Sequence, residues 1–357
     1  MRKFLTVAAA ALTLAAVAPA PGFAQSRSAA ERAEIRAAEA WTAEAIQWSN
    51  GYNDILTTRI LAIGELNQGV TRALEFANAG DAAAGRAWAA EWGPEQRRRF
   101  ADLRARLQRL NASPMPKPVI GGVDYSREPS VAAFMKLLQN QPADVDRQLR
   151  RTEALTDKVI DLAVKAASGD AAAVEPLQSA VFDLNIEALE AEIDMMEAQL
   201  RIPTPGNPQD AVVAAAIAIN RAYIQAMHML RPGSVPSRAE RTEAAGRIRR
   251  EAAAIDAQLP RIRSLSRDLI AGPNDPSSYR TKLDGLRREY ETSAVALGEV
   301  ASAMRGLADA IERGPVLDSG RVGAAIGATV PPFERHVAAN ERRRQLLAQP
   351  AEPAPRT

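Results

Sequence analysis

The sequence predicts an all-α protein built from long antiparallel helical hairpins that pack as a bundle or a short solenoid. Apolar residues recur at spacings of three and four through long alanine-rich stretches, which is typical of helices that bury one face. Alternating β-branched runs of strand length are scarce. Gly80 with Asp81, and Gly169 with Asp170, separate such stretches, and each pairing favours a helix end followed by a new N-cap.

Residues 1–24 have the pattern of a secretory signal peptide. Arg2 and Lys3 precede an apolar run at residues 4–17, and the small residues Gly22 and Ala24 stand just before Gln25. The run is shorter than the roughly 20 residues that a transmembrane helix needs. We therefore expect export to the periplasm, with no transmembrane segment once the signal is removed. An uncleaved N-terminal anchor is the alternative.

The first predicted hairpin occupies residues 25–111. Its first helix is expected over residues 28–79, because Ser28 and Glu31 have the spacing of a capping box, and its second helix over residues 82–111. Polar and helix-breaking residues predict interruptions near residues 49–51 and at residues 93 and 94. A proline- and glycine-rich stretch at residues 112–129 follows, and we expect it to be a linker or a functional loop.

A helical bundle is predicted over residues 130–348. Its helices are expected at residues 143–169, 170–202, 208–231, 237–271, 277–313 and 332–348, with a kink at Pro260 and a disordered tail at residues 349–357. Ser237 and Glu240 form a second capping box. The fifth of these helices has a coiled-coil-like seam of apolar residues: Tyr290, Ala294, Leu297, Ala301, Met304, Ala308 and Ile311.

Two of the predicted turns are alike in sequence. Residues 77–84 and 166–173 share an alanine-rich pattern around a glycine followed by an aspartate, 89 residues apart. A duplicated hairpin would explain the likeness, with Gly272 and Asp275 as a degenerate third copy. The alternative, that any alanine-rich helical hairpin needs such a turn, stays open.

Composition excludes several functional classes. The chain has no cysteine, so disulfides and thiolate chemistry are excluded. It has 45 basic and 43 acidic residues, and removal of the two basic residues of the predicted signal leaves 43 of each sign, which argues against a nucleic-acid partner. Many arginines instead follow an acid by four positions, which is the spacing of ion pairs along a helix. The examples are Glu95 with Arg99, Asp102 with Arg106, Asp146 with Arg150, Glu243 with Arg247 and Asp284 with Arg288.

An acidic stripe supplies the candidate metal site. Asp183, Glu187, Glu190, Asp194 and Glu197 share one face of a predicted helix. Carboxylates bind divalent cations, and we take three of them, together with one histidine, as candidate metal ligands: Glu187, Glu190, Asp194 and His228. The Glu-x-x-His pattern of helical di-metal sites is missing, so a solvated helix flank is the alternative. No cofactor is predicted.

An aromatic stripe supplies the candidate binding site. Trp41, Trp48 and Tyr52 fall on one face of the first predicted helix and hold a large share of the few aromatic residues. Such a stripe can stack on a ligand or on a partner helix, and core packing is the alternative.

The sequence predicts function only by class. It lacks the Gly-x-Ser-x-Gly elbow, the His-Glu-x-x-His motif, the phosphate loop and the dinucleotide fingerprint. Our main hypothesis is an exported helical protein that contacts another envelope protein, or a second copy of itself, as an adaptor, scaffold or accessory subunit. The alternatives are a helical-bundle binder of a metal ion or small apolar ligand, and a carboxylate-based hydrolase of envelope polysaccharide.

Overall fold

The structure, a computed structural model that describes residues 29–120, 122–201, 209–270 and 277–348, consists almost entirely of α-helices. The all-α prediction is confirmed. The predicted signal peptide, the breaker cluster at residues 203–208 and the tail at residues 349–357 lie outside the described residues. In chain order the helices are α1 Ala29–Ala79, α2 Ala82–Asn111, α3 Pro129–Ala167, α4 Val174–Leu200, α5 Gln209–Met229, α6 Arg238–Asp268, α7 Ser277–Glu312 and α8 Ser319–Ala348.

The helices pack as a bundle in which chain neighbours are also neighbours in space. Helices α1 to α4 form one group, with α3 contacting α1, α2 and α4, and helices α6 to α8 pack in succession on the other side. Helix α5 lies between the groups against α4 and α6, and it is buried on nearly every side because its residues are apolar all around. Within the described ranges, no helix has both the length and the hydropathy to cross a membrane.

The two glycine–aspartate turns form as predicted and lie against each other. Gly80 has φ +66° and Gly169 has φ +99°, the left-handed conformation that glycine adopts without steric cost. Asp81 accepts a hydrogen bond from the backbone of Ala84, and Asp170 accepts one from the backbone of Ala172. Arg86 of α2 also donates to the carbonyl of Ser168 at 3.4 Å, so both turns lie at the same end of the bundle.

The predicted interruptions of the first two helices are wrong. Helix α1 runs through residues 49–51 and helix α2 runs through residues 93 and 94. Ser49 is buried and its hydroxyl accepts a hydrogen bond from Gln141 at 2.9 Å. A Cβ atom on Gly51 would stand 2.8 Å from the side chain of Leu110, so this glycine lets α2 approach α1 closely. Ser49 and Gly51 therefore support the packing of α1 against α3 and α2.

Two helices begin well before their predicted starts. Helix α3 begins at Pro129, not near residue 143, and contains Pro142. Phe134 and Val145 are both buried, one on each side of that proline, and we attribute the continuity of the helix to this burial, which offsets the lost backbone hydrogen bond. Helix α8 likewise contains Pro331 and Pro332, where its start was expected.

The other local predictions have mixed outcomes. The capping box of Ser237 and Glu240 is confirmed, and every residue of the predicted seam on α7 is buried. The ion pairs of Arg99, Arg150 and Arg247 with the acid four positions earlier are confirmed. The other two expected pairs are replaced. Arg106 pairs with Asp54 of α1 instead of Asp102, and Asp284 pairs with Arg287 instead of Arg288.

Candidate ligand groove

The acidic stripe of α4 faces arginines from neighbouring helices. Helix α4 has seven acidic residues and no basic one. Arg151 of α3 forms ion pairs with all three candidate carboxylate ligands of a metal: Glu187, Glu190 and Asp194. The structure thus brings these carboxylates together, but around a guanidinium. His228 is exposed in the last turn of α5 and belongs to none of these pairs.

The ends of the stripe are paired in the same way. Arg231 lies 2.5 Å from Asp183, and Arg221 pairs with Glu197. No group of three or more His, Asp or Glu residues suited to a metal ion occurs in the part of the chain that the structure describes. A cation at Glu187, Glu190 and Asp194 would have to displace Arg151, so the arrangement gives the metal hypothesis no support.

Another acid of α4, Glu192, belongs to a buried polar network outside the stripe. Its carboxylate lies 4.0 Å from Arg59 of α1 and accepts a hydrogen bond from Asn220 of α5 at 3.3 Å. Arg59 also donates to Gln148 at 3.0 Å, while its Nη2 is buried with no hydrogen-bond partner among the described residues. Burial raises the pKa of Glu192 to about 7 and lowers the pKa of Arg59. The network ties α1, α3, α4 and α5 together.

A second buried network joins α7 and α8. Ser293 Oγ lies 2.7 Å from His336 Nδ1, and His336 Nε2 lies 3.1 Å from Asn340. These three residues have the order of a nucleophile, a base and an orienting group. All are at most 1% exposed, and burial lowers the pKa of His336 to about 3, so its imidazole is neutral. A substrate has no access to Ser293, and we assign the cluster to packing.

Side chains of the aromatic stripe form hydrogen bonds with the loop at residues 112–129. Trp41 and Tyr52 are buried, and Trp48 is partly buried. The indole of Trp41 donates to the carbonyl of Pro116 at 3.5 Å, and that of Trp48 to the carbonyl of Ser113 at 3.3 Å. Tyr52 donates to the side chain of Asn111 at 3.1 Å. The structure brings the three residues together in a packing role, and ligand binding by them stays a prediction.

The loop itself contains the small amount of extended structure in the described chain. Strands β1, Val119–Ile120, and β2, Val123–Asp124, pair antiparallel, and Gly122 in the connecting turn has φ +85°. Val119 and Val123 are more than half exposed. The hairpin thus presents two apolar side chains in the stretch that was expected to be a linker or a functional loop.

A groove between α4, α5 and α6 is the candidate functional site. It has a volume of about 430 Å³ and lies where the two groups of helices meet. Ile193 and Ile224, which are nearly buried, supply its apolar part. The remaining lining residues are polar or charged: Glu190, Arg221, Gln225, Arg247, Arg250 and Glu251.

Some of the charged residues that line the groove form ion pairs and others do not. Arg221 pairs with Glu197 and Arg247 with Glu243, outside the groove in both cases. Arg250 is exposed and forms no ion pair with the described residues. Glu251 lies between cations: burial raises its pKa, and Arg221 and Arg250 act in the opposite direction. The groove therefore presents an exposed arginine, Arg250, with Glu251 next to it in the chain, beside the apolar side chains of Ile193 and Ile224.

The sequence analysis missed these arginines as a group. They come from two helices, and only the tertiary structure brings them to one place. One local signal was available for Arg250. Its neighbours at three and four positions in both directions are Gly246, Arg247, Ala253 and Ala254, so no acid on the same helix face can pair with it.

Comparisons with known proteins find no match. No protein-family model, no curated protein and no solved structure matches this chain.

Proposed function

We propose that this protein is an exported helical adaptor that holds a partner protein in the groove between α4, α5 and α6. One observation carries the proposal: the groove places the exposed guanidinium of Arg250 beside the apolar side chains of Ile193 and Ile224. Arginine beside buried apolar area is typical of the central residues of protein interfaces. Export is proposed from the signal-like pattern of residues 1–24.

The exposure of the groove favours a protein over a small ligand. Sites for small ligands bury most of the ligand surface. Here the side chains of Arg221 and Arg247 are each nearly half exposed, at 47% and 49%. A small molecule in the groove would stay largely in water, whereas a protein segment would cover the exposed arginines with its own flanking residues.

Site-specific photo-crosslinking in the producing cell tests the proposal. A photoreactive residue replaces Gln225, which lines the groove, and a matched variant has it at Val295, which is 56% exposed on α7. We expect a discrete adduct with one protein from position 225 and none from position 295. Absence of an adduct at 225, or the same adducts from both positions, overturns the adaptor function.

The proposed export has its own test. Mass spectrometry of protein from the periplasmic fraction should find an N-terminus at or near Gln25. Recovery of the chain from the cytoplasmic fraction with residues 1–24 intact contradicts export but leaves the groove proposal standing.

A further inference from the structure

We propose that the ionisation of a buried carboxyl group, that of Glu192, regulates the groove between α4, α5 and α6. The groove binds its partner while Glu192 is protonated and releases the partner when Glu192 is ionised. This inference rests on the proposed adaptor function and names the regulation of that same site. Its basis is a buried hydrogen bond between α4 and α5 that lies directly behind the groove.

The hydrogen bond joins Glu192 of α4 to Asn220 of α5, at a distance of 3.3 Å. Glu192 directly precedes Ile193 in the chain, and Asn220 directly precedes Arg221. Ile193 and Arg221 both line the groove. Consecutive residues of a helix point about 100° apart. Glu192 and Asn220 are each 2% exposed, so they point into the core behind the lining residues, and their bond helps to fix the spacing of α4 and α5 at the groove.

The polar surroundings of Glu192 suit a neutral carboxyl group better than a charged one. The nearest nitrogen of Arg59 lies 4.0 Å from the carboxyl group, beyond hydrogen-bond distance. Arg151 of α3 and Glu187 of α4 act on Arg59 with opposite signs, and α5 contributes the uncharged Asn220. A protonated carboxyl group needs one donor and one acceptor, and a primary amide has both. Burial raises the pKa of Glu192 to about 7, because a buried charge with so few partners is costly.

Ionisation of Glu192 changes which neighbour it favours. The charged form is attracted to Arg59 of α1, and this attraction draws α4 away from Asn220 of α5. The apolar side of the groove combines Ile193 of α4 with Ile224 of α5, so it loses its shape when these two helices separate. With a pKa of about 7, the protonated fraction falls from about 0.9 at pH 6 to about 0.1 at pH 8, which weakens binding about tenfold.

The first measurement follows the groove in the complete exported chain without a partner. Isoleucine methyl groups are isotope-labelled, and their NMR relaxation by a soluble, uncharged gadolinium chelate reports how accessible each one is. We expect Ile193 and Ile224, which are 8% and 7% exposed, to become more accessible as the pH rises, with a midpoint near pH 7. Ile311 of α7, which is fully buried, is the internal control and should stay protected.

The second measurement follows binding. The complete exported chain carries the photoreactive residue at position 225, and increasing amounts of it are added to envelope extract at each of the two pH values. We expect the concentration for half-maximal adduct formation to be about tenfold higher at the upper pH. Glu192→Gln has an uncharged side chain at both pH values, so its half-maximal concentration should not change. Glu175→Gln, the same substitution at an exposed position of α4, is the matched control and should respond to pH as the wild type does.

The opposite results distinguish the regulation from the adaptor function. Equal protection of Ile193 and Ile224 at both pH values, or a half-maximal concentration that is independent of pH in the wild type, overturns the regulation and leaves the adaptor function in place. A pH response that persists in Glu192→Gln also overturns it, because another group then titrates. The two wild-type measurements need no variant, so they decide the matter even where Glu192→Gln folds poorly. Absence of an adduct at both pH values overturns the adaptor function and this regulation with it.

Discussion

Replacement of Gly85 by alanine tests the contact between the two hairpin turns. A Cβ atom on Gly85 would stand 1.8 Å from the carbonyl oxygen of Ala167, which belongs to the backbone of α3. Ordinary contact at 3.4 Å requires one helix to move by about 1.5 Å. Such overpacking costs about 3 kcal/mol, and alanine regains about 1 kcal/mol through its helix propensity. We expect a net loss of about 2 kcal/mol in the free energy of unfolding.

The control is Gly64→Ala, the same change within helix α1, where an added Cβ atom meets nothing within 4 Å. There only the propensity gain applies, so the variant should be about 1 kcal/mol more stable than the wild type. Urea denaturation followed by circular dichroism measures both variants. In a thermal scan Gly85→Ala should melt about 3 °C lower than wild type. If the two glycine variants shift stability in the same direction, the packing of α2 against the end of α3 is refuted.

The remaining predictions concern buried polar groups and the loop. The pKa of Glu192 is about 7 in the folded protein and 4.5 without its surroundings, so the folded state holds the proton more tightly. This contribution to stability is complete below pH 4.5 and is lost as the pH rises to 7. Denaturation at a series of pH values should show wild type losing about 3 kcal/mol relative to Glu192→Gln across that window, and a difference independent of pH would contradict this. Arg241→Met should cost about 3 kcal/mol in urea denaturation, because Arg241 donates to two backbone carbonyls after α7 at 3.1 and 3.0 Å. Arg343→Met should cost less than Arg241→Met, since the guanidinium of that buried arginine lies 4.3 Å from the ring centre of Tyr290 and bonds to no backbone carbonyl among the described residues; equal losses in the two variants would argue against this. Trp48→Phe should cost about 1 kcal/mol and speed proteolysis within residues 112–128, and unchanged cleavage would contradict the fastening of the loop.

Helix ends could be predicted from the sequence where the local backbone conformation or an N-cap requires one residue type. Gly80 and Gly169 adopt positive φ, and Asp81 and Asp170 cap the next segment, whatever packs around them. Interruptions were not predictable in the same way. Pro142 and its surroundings stay helical because burial on both sides outweighs one lost hydrogen bond, and that burial depends on contacts far away in the sequence.

Ion pairs within one helix could be predicted from the sequence, whereas ion pairs between helices could not. The pair of Glu243 with Arg247 lies on one helix, and its spacing sufficed to predict it. Arg106 has an acid four positions earlier too, yet it pairs with Asp54, which α1 brings to it. The groove is the extreme case, because its lining comes from three helices and no window of sequence contains it.

The charge of α4 connects the fold to the groove. Acids on one helix repel each other unless cations surround them, and Arg59, Arg151, Arg221 and Arg231 engage six of the seven acids of α4 from α1, α3, α5 and the turn after α5. These pairs fix which side of α4 faces each neighbour. They also engage Glu190, which lines the groove and pairs with Arg151, and Glu197, which pairs with the groove residue Arg221. Arg250 and Glu251 of α6 line the groove next to these engaged residues, so the ion pairs that hold α4 to α3 and α5 also border the groove.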